Sequence, residues 1–371
     1  MAHNAFGALA SVDTGHIGGI EWQTSMMARW FAARGYPVSM ITWDEGQEDG
    51  VEIDGVRVLK MCRKDAGIKG LRFFWPKWTS LVAAMQRANA DIYYYNCGDL
   101  GLGQVVMWCR RHARKSVYSV ASDPDCDPEL PVLKKLRERV LYKYGLHHVD
   151  SVVVQTRRQQ QMLREGFGID STMISMPCEV PCKNGDVGRE TTQEESMHVL
   201  WVGRISKEKR FEWLLDVAEQ CSQIIFDVVG ASNSDSEYAR VLTKRAAGIT
   251  NVRMHGRVPY GEMASYYQRC RVLCCTSAYE GFPNTFLEAW SHGLPIVSSF
   301  DPDNLIDECD LGVVAKDVLG LANGIKSLLN SQQHWRKASS AAKQYYLANH
   351  TPDACLPRFE HLFLQVAGYQ P

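Results

Sequence analysis

The sequence predicts an α/β protein made of two doubly wound, parallel-sheet domains. β-rich runs alternate with helical patterns from end to end, and the alternation breaks over a polar stretch at 181–196 before it restarts. The length of 371 residues exceeds one ordinary core and suits two domains of middling size. Open parallel sheets bind ligands beyond the C-terminal ends of their strands, so two such domains suit a substrate in two parts.

In the first half, strands are expected at 6–13 (FGALASVD), 37–42 (PVSMIT), 56–61 (VRVLKM), 91–95 (DIYYY), 116–120 (SVYSV) and 151–156 (SVVVQT). Between the first two, Ile20 to Gly35 reads as a helix. Met26, Met27, Trp30 and Phe31 form its apolar face, and Gly35 stands just past its end. The stretch 181–196 carries Gly, Pro, Thr and Glu without strand pattern and reads as the linker between a domain at 1–180 and one at 197–349. The second series of strands follows in MHVLWVG, IIFDVVG, NVRMHG, RVLCCTS, LPIVSS and LGVVA. The C-terminal segment reads as two helices split near Thr351–Pro352.

Composition narrows the function. Hydrophobic residues make up 45% and charged residues 22%, the balance of a soluble globular chain. A net charge of -1 offers no basic field for nucleic acid, and the clusters at Arg110, Arg111, Arg114 and Lys115 and at Lys134, Lys135, Arg137, Arg139 and Lys143 read as solvated helix faces. The N-terminus lacks a signal-peptide pattern and no apolar run is long enough to span a membrane. Twelve cysteines are scattered through apolar runs, as reduced thiols are in cytoplasmic proteins. Cys178 and Cys182 lack a second pair at ligand spacing, so no metal site is expected.

Three stretches carry chemistry. In DTGHIGGIEW, Gly18 and Gly19 follow the expected first strand and open a helix, where backbone can approach a ligand; it is not a dinucleotide fingerprint, and Asp44 is a weak ribose candidate. In LWVGRISKEKR, a strand ends at Gly203, with Arg204 next and Lys209 five residues on. A forked and a compact cation there suit a diphosphate. In RVLCCTSAYEGFPNTFLEAWSHG, Glu280 lies in the loop after a strand, Pro283 suits the first helical turn, and Glu288 lies within a helix ended by Gly293. Free amides of that first turn suit phosphate, and carboxylates accept from sugar hydroxyls. The plain alternative is a loop charge at Glu280 and a surface helix residue at Glu288. A third reading makes the two glutamates the acid and nucleophile of a glycoside hydrolase, but neighbouring cations would lower the acid's pKa.

The strand-Gly-Arg-x4-Lys pattern, followed about seventy positions later by EGFPNTFLE, resembles the retaining GT-B glycosyltransferases, most closely glycosyltransferase family 4. GGIEW, VDSVVVQTRRQQQMLREGFG and MHGRVPYGEMASYYQRCRVLCCTS extend the resemblance over nearly the whole chain. It implies two Rossmann-like domains facing a cleft, with the last helix, after about residue 350, crossing back to the first. By the same resemblance Arg204 and Lys209 hold the diphosphate of a nucleotide-sugar donor, and Glu280 contacts its sugar. Residues Gly281, Phe282, Asn284 and Thr285 lie near sugar and phosphate, Glu288 accepts from the ribose, and His255 and Arg257 line the base. Gly18 and Gly19 sit near donor phosphate and acceptor. Where many members carry a histidine, this chain has Ser122 and Asp123; His112 is no obvious replacement, and Asp123 or Asp125 takes the contact to sugar or acceptor.

The implied activity is metal-independent transfer to a hydroxyl of a glycan or lipid-linked acceptor, with the departing diphosphate taking the acceptor's proton. The non-enzyme alternative is a catalytically silent nucleotide-sugar-binding subunit. Residues 68–87 mix Lys69, Arg72 and Lys77 with Leu71, Phe73, Phe74, Trp75 and Trp78; they suit either an anionic membrane surface or a loop with its aromatics buried. The expected location is the cytoplasm, with the inner membrane face as a working surface.

Overall fold

The computed structural model describes residues 3–12, 14, 18–179, 197–232 and 236–369. The expected linker at 181–196 and Cys182 lie outside the described residues. Two units emerge, Met1–Pro177 with Pro352–Pro371, and Cys178–Thr351.

The first unit opens with α1 (Phe6–Ala10) and α2 (Gly19–Ala33), followed by β1 (Val38–Thr42), β2 (Glu52–Ile53) and β3 (Val56–Lys60). Then come α3 (Thr79–Ala88), β4 (Ile92–Tyr95), α4 (Gly101–Arg111), β5 (Lys115–Ser119), α5 (Leu136–His148), β6 (Ser151–Val154), α6 (Arg157–Phe167) and β7 (Thr172–Met173). Helix α2 starts where the Gly18 N–H donates to Glu21 Oε2 at 3.0 Å, and it ends before Gly35, whose φ of 87° stops it. Met27 and Phe31 are its buried anchors.

The strand expected at 6–13 is instead the short helix α1. An apolar run this short does not distinguish strand from buried helix, and Phe-Gly-Ala-Leu-Ala contains two alanines and no β-branched residue. The consequence is visible in the sheet. A doubly wound domain places its first strand between the second and fourth. Among the described residues that place holds no strand, and their strands form two separate sheets, β1-β3-β2 and β4-β5-β6-β7. The chain still passes near the gap. His3 O accepts from Trp43 N–H at 2.8 Å, beside the end of β1, and the His3 ring packs edge-on to Tyr95 at the end of β4.

The second unit comprises β8 (His198–Val202), α7 (Phe211–Gln220), β9 (Ile225–Val229), α8 (Glu237–Ala246), β10 (Val252–Gly256) and α9 (Met263–Arg269). It continues with β11 (Val272–Cys275), α10 (Asn284–Ser291), β12 (Ile296–Ser298), α11 (Leu305–Glu308), β13 (Gly312–Val314), α12 (Val318–Asn330) and α13 (Gln332–Asn349). Its six strands are all parallel, in the order β10-β9-β8-β11-β12-β13. The chain thus works outward from β8 to one edge, then returns to β11 and works outward to the other. The reversal between β8 and β11 is the switch point at which such sheets open a crevice. Those two strands are followed by the Arg204–Lys209 loop and the Glu280 loop.

The last helix, α14 (Pro352–Ala367), belongs to the first unit. Leu356 and Phe359 are fully buried there in a cluster with Phe31, Val117 and Val153. Glu360 accepts from Arg34 Nη2 at 3.0 Å and from the Tyr36 hydroxyl at 2.8 Å. Phe359→Ala is expected to lower unfolding stability by about 3–5 kcal/mol, the usual cost of emptying a buried phenyl site. Urea denaturation checks this, and an unchanged midpoint would show that α14 contributes little to the fold.

Candidate functional site

Glycines bring the strand ends of the second unit together. Gly230, after β9, has φ +134°, and a Cβ there would lie 1.9 Å from Gly203 O. Its N–H donates to Gly256 O at 2.7 Å, and the Gly203 N–H donates to Val229 O at 3.1 Å. Only backbone fits between the ends of β8, β9 and β10.

Beyond β8, Lys207–Lys209 form a short turn that ends at Arg210, whose φ is +46°. Several bonds lace this turn to the loop after β11. The Ala278 N–H donates to Glu208 O at 2.8 Å, and Thr276 Oγ1 donates to Lys209 O at 2.7 Å. Arg210 donates to Thr276 O at 2.9 Å, Ser277 O at 2.7 Å and Ser299 Oγ at 3.0 Å, while its guanidinium lies 3.9 Å over the Trp213 ring.

The lacing brings Lys209 and Glu280 into contact: the Lys209 ammonium pairs with Glu280 Oε1. Ser277 Oγ donates to the same oxygen at 2.6 Å. Oε2 carries neither bond. Both side chains are about four-fifths buried, with 22% and 17% of their surface exposed. A small crevice is lined by Val202, Lys209, Cys275, Ser277, Glu280 and Thr285. Arg204 lies at the end of β8 with its side chain exposed, 3.3 Å from Glu208. Glu208 is held below the usual carboxylate range, because a bond from Ser206 and the charges of Arg204 and Lys209 outweigh the effect of its burial.

Helix α10 starts at Asn284, directly after Pro283, and ends before Gly293, whose φ is +69°. Gly281 is buried, and Phe282 packs on Trp290 and His350. Glu288 is a buried residue of this helix, with 8% of its surface exposed. The Tyr267 hydroxyl donates to its Oε2 at 2.5 Å. Burial pushes the Glu288 carboxyl up to about 7, against the bond from Tyr267. This corrects, at Glu288, the expectation that neighbouring cations lower the acid's pKa: burial raises it there. Glu288 does not line the crevice that Glu280 lines, so a raised acid there does not revive the hydrolase pair.

His255 lies near the end of β10, and its Nε2 bonds Asp227 Oδ1 at 2.6 Å. Asp227 is fully buried and also binds His198 Nδ1 at 2.6 Å and Arg269 Nη2 at 2.7 Å. The ring of His255 is thereby turned against the sheet, while Arg257 is exposed past the strand end.

In the first unit, Gly18 caps α2 and Gly19 opens it. Asp123 and Asp125 lie in a short turn after β5, and both are buried. Asp123 Oδ2 is 3.2 Å from Arg158 Nε, and its Oδ1 accepts from Gln159 Nε2 at 3.2 Å. Asp125 Oδ2 accepts from Ser122 N–H at 2.9 Å and Ser122 Oγ at 3.2 Å. Burial pushes Asp125 up to about 6, although these bonds oppose it.

Three residues escaped the sequence reading. Arg210 adjoins Lys209, and Ser277 stands three positions before Glu280, so both were within reach of the motifs. Tyr267 lies 21 positions from Glu288, and no local pattern marks it. Among the described residues, no three His, Cys, Asp or Glu side chains gather in a way that could hold a metal ion.

The glycosyl transferase 4-like domain model matches residues 18–177, and the glycosyl transferases group 1 model matches 196–331. The chain is 25% identical over 164 residues to the GtfA subunit of the UDP-N-acetylglucosamine–peptide N-acetylglucosaminyltransferase of Streptococcus pneumoniae, over 42% of this chain and 32% of that one. It is 24% identical over 171 residues to the amylovoran biosynthesis glycosyltransferase AmsD of Erwinia amylovora, over 44% of this chain and 46% of that one. It therefore spans under half the length of either relative. Among solved structures, sucrose-phosphate synthase from Thermosynechococcus elongatus superposes with a TM-score of 0.77 at 18% identity, covering 99% of this chain and 98% of that one.

The raised pKa of Glu288 has a consequence for stability. The native state holds this proton to higher pH than the unfolded chain, so Glu288 costs stability as pH rises from the ordinary glutamate range through about 7. Glu288→Gln keeps an acceptor for Tyr267 and removes the ionisation. The variant is expected to melt above wild type at pH 8, by on the order of 3 kcal/mol in stability, and level with it near pH 5. Thermal unfolding at the two pH values checks this, and a difference independent of pH would refute it.

Proposed function

The chain belongs to the group 1 glycosyl transferases of GT-B fold, and from that premise we propose that it moves a sugar, with retention at the anomeric carbon, from a UDP- or GDP-sugar to a hydroxyl of a glycan or lipid-linked acceptor. The observation that carries this reading is the meeting of Lys209, Glu280 and the start of α10 beyond the adjacent strands β8 and β11. In this reading Arg204 and Lys209 hold the diphosphate and take up the charge that grows as it leaves. Glu280 turns its Oε2 to sugar hydroxyls, with the backbone of Gly281, Phe282, Asn284 and Thr285 close to sugar and phosphate. Glu288 takes the ribose hydroxyls, and His255, Arg257 and the β10 end take the base.

The reaction balances without a side-chain nucleophile. The bond from the anomeric carbon to the diphosphate oxygen breaks, the acceptor oxygen bonds the same face, and its proton passes to the departing diphosphate. Two protein cations supply the counter-charge, so the reading assigns no metal. The pneumococcal relative, named for UDP-N-acetylglucosamine, supports a uridine donor, and the relative named for amylovoran biosynthesis supports a polysaccharide context; surface polysaccharide or glycolipid synthesis at the inner membrane face is part of the same proposal. For the first unit we propose that Gly18 and Gly19 approach donor phosphate and acceptor, and that Asp123 acts on the acceptor side, where it must share its carboxylate with Arg158 and Gln159.

A panel of UDP-, GDP- and ADP-sugars is expected to raise the melting temperature for one base only. Lys209→Ala and Glu280→Ala abolish that rise, and Glu288→Ala weakens it about tenfold in ligand concentration, roughly the loss of one hydrogen bond. Transfer in EDTA should give a product with the donor's anomeric configuration by NMR. An inverted product or a metal requirement overturns the mechanism, and a melting shift without turnover marks a silent binding subunit.

A further inference from the structure

Exposed apolar side chains concentrate in two short stretches of the first unit. Ile68, Leu71, Phe74 and Trp75 lie in one, and Val132, Leu136 and Val140 in the other; each is between 57% and 77% exposed. Of the two alternatives for this stretch, full burial of its aromatics is not what the structure shows: no residue of 73–78 is buried. The stretches meet where the Arg137 guanidinium lies 4.7 Å over the Phe73 ring. Phe73 in turn packs edge-on to Phe74 and Trp78. The second stretch runs into α5, whose opposite face is fixed in the core by Tyr142, Gly145 and Leu146. A Cβ at Gly103 of α4 would lie 2.2 Å from the Leu141 carbonyl oxygen, so the two helices are in backbone contact. Leu136 and Val140 are therefore held outward by a rigid element.

Charge selects the occupant. Residues 68–78 carry Lys69, Arg72 and Lys77 and no carboxylate. Residues 132–143 carry Lys134, Lys135, Arg137, Arg139 and Lys143 against a single carboxylate, Glu138, in a chain whose net charge is -1. Apolar tips are thus interleaved with cations of one sign. A protein partner would need a matched pocket for each tip, with acids between the pockets. A bilayer with anionic headgroups supplies both without shape matching: acyl chains take the apolar tips, and headgroups take the cations along their flexible stems. Among the described residues no helix is long and apolar enough to cross a membrane, so the contact is peripheral.

We propose that residues 68–78 and 132–143 form one docking surface for an anionic lipid bilayer. It goes beyond the donor reading, and either can fail alone.

The test is flotation of the full chain with vesicles of phosphatidylcholine, alone or mixed with phosphatidylglycerol. Wild type is expected to float with the mixed vesicles only, and less so as NaCl is raised. Leu71→Glu/Phe74→Glu and Leu136→Glu/Val140→Glu each cut the bound fraction roughly tenfold or more. Lys134→Glu/Lys135→Glu, which leaves every apolar contact in place, does the same should an apolar variant melt early. Equal binding to neutral vesicles, or wild-type flotation by the 136/140 and 134/135 variants, overturns the proposal. So does a wild-type dimer in light scattering that these variants dissolve, since a second copy then covers the surface. The melting shift with nucleotide-sugar, unchanged in all three variants, keeps this result separate from the donor reading.

Discussion

Arg210 stands where two loops from neighbouring parallel strands meet, and its guanidinium bonds two successive carbonyls of one loop while its own backbone ends the other. Strand order makes the meeting possible: β8 and β11 pair although some seventy residues separate them, because the chain reverses direction across the sheet between them. The reversal leaves two loops side by side at the same edge. Arg210 then converts proximity into a fixed register, with help from Thr276 and Ala278. An arginine suits this place because its planar fork reaches several acceptors at once, while its face stacks on Trp213. Lys209 and Glu280 inherit their contact from this arrangement; they do not create it.

The pair so formed is poised rather than merely stable. Both groups are largely removed from water, which raises the cost of leaving either without a partner. In the proposed reading the donor's diphosphate competes with Glu280 for Lys209, and sugar hydroxyls replace the ammonium at the carboxylate. Each charge exchanges one partner for another, and neither is stranded. Ser277 stays on Glu280 Oε1 and keeps its direction through the exchange. Lys209 thus has a counter-charge both before binding, in Glu280, and after it, in the diphosphate.

Strand-helix alternation, the order of the motifs and the positions of Arg204, Lys209 and Glu280 at strand ends were legible because they depend on local pattern and on one topological rule. Where sequence failed, the deciding contacts were distant. Nothing within the run FGALA says that Phe6–Ala10 forms a helix and stays out of the sheet, and the described strands of the first unit fall into two groups. Nothing near Glu288 announces Tyr267, and nothing near Asp123 announces the Arg158 and Gln159 side chains of α6. The residues 68–78 were ambiguous for a different reason: a run of cations and aromatics reads alike whether its rings face the core or the solvent, and only burial separates the two.

The two glutamates of the motif show how far a shared spacing is from a shared chemistry. Glu280 follows a strand end, with an ammonium and a hydroxyl both bonded to its Oε1. Glu288, eight residues on, lies inside a helix buried on nearly every side, with one phenol as its partner, and there the neutral acid is favoured. A carboxylic acid still offers its carbonyl oxygen to a hydroxyl, so recognition of a ribose does not require ionisation at that position. The division has a physical logic. In the proposed reading, the residue nearest the leaving group's charge is balanced by a cation, whereas the residue farther along the donor only has to orient a neutral sugar, and burial orients it more firmly than charge would.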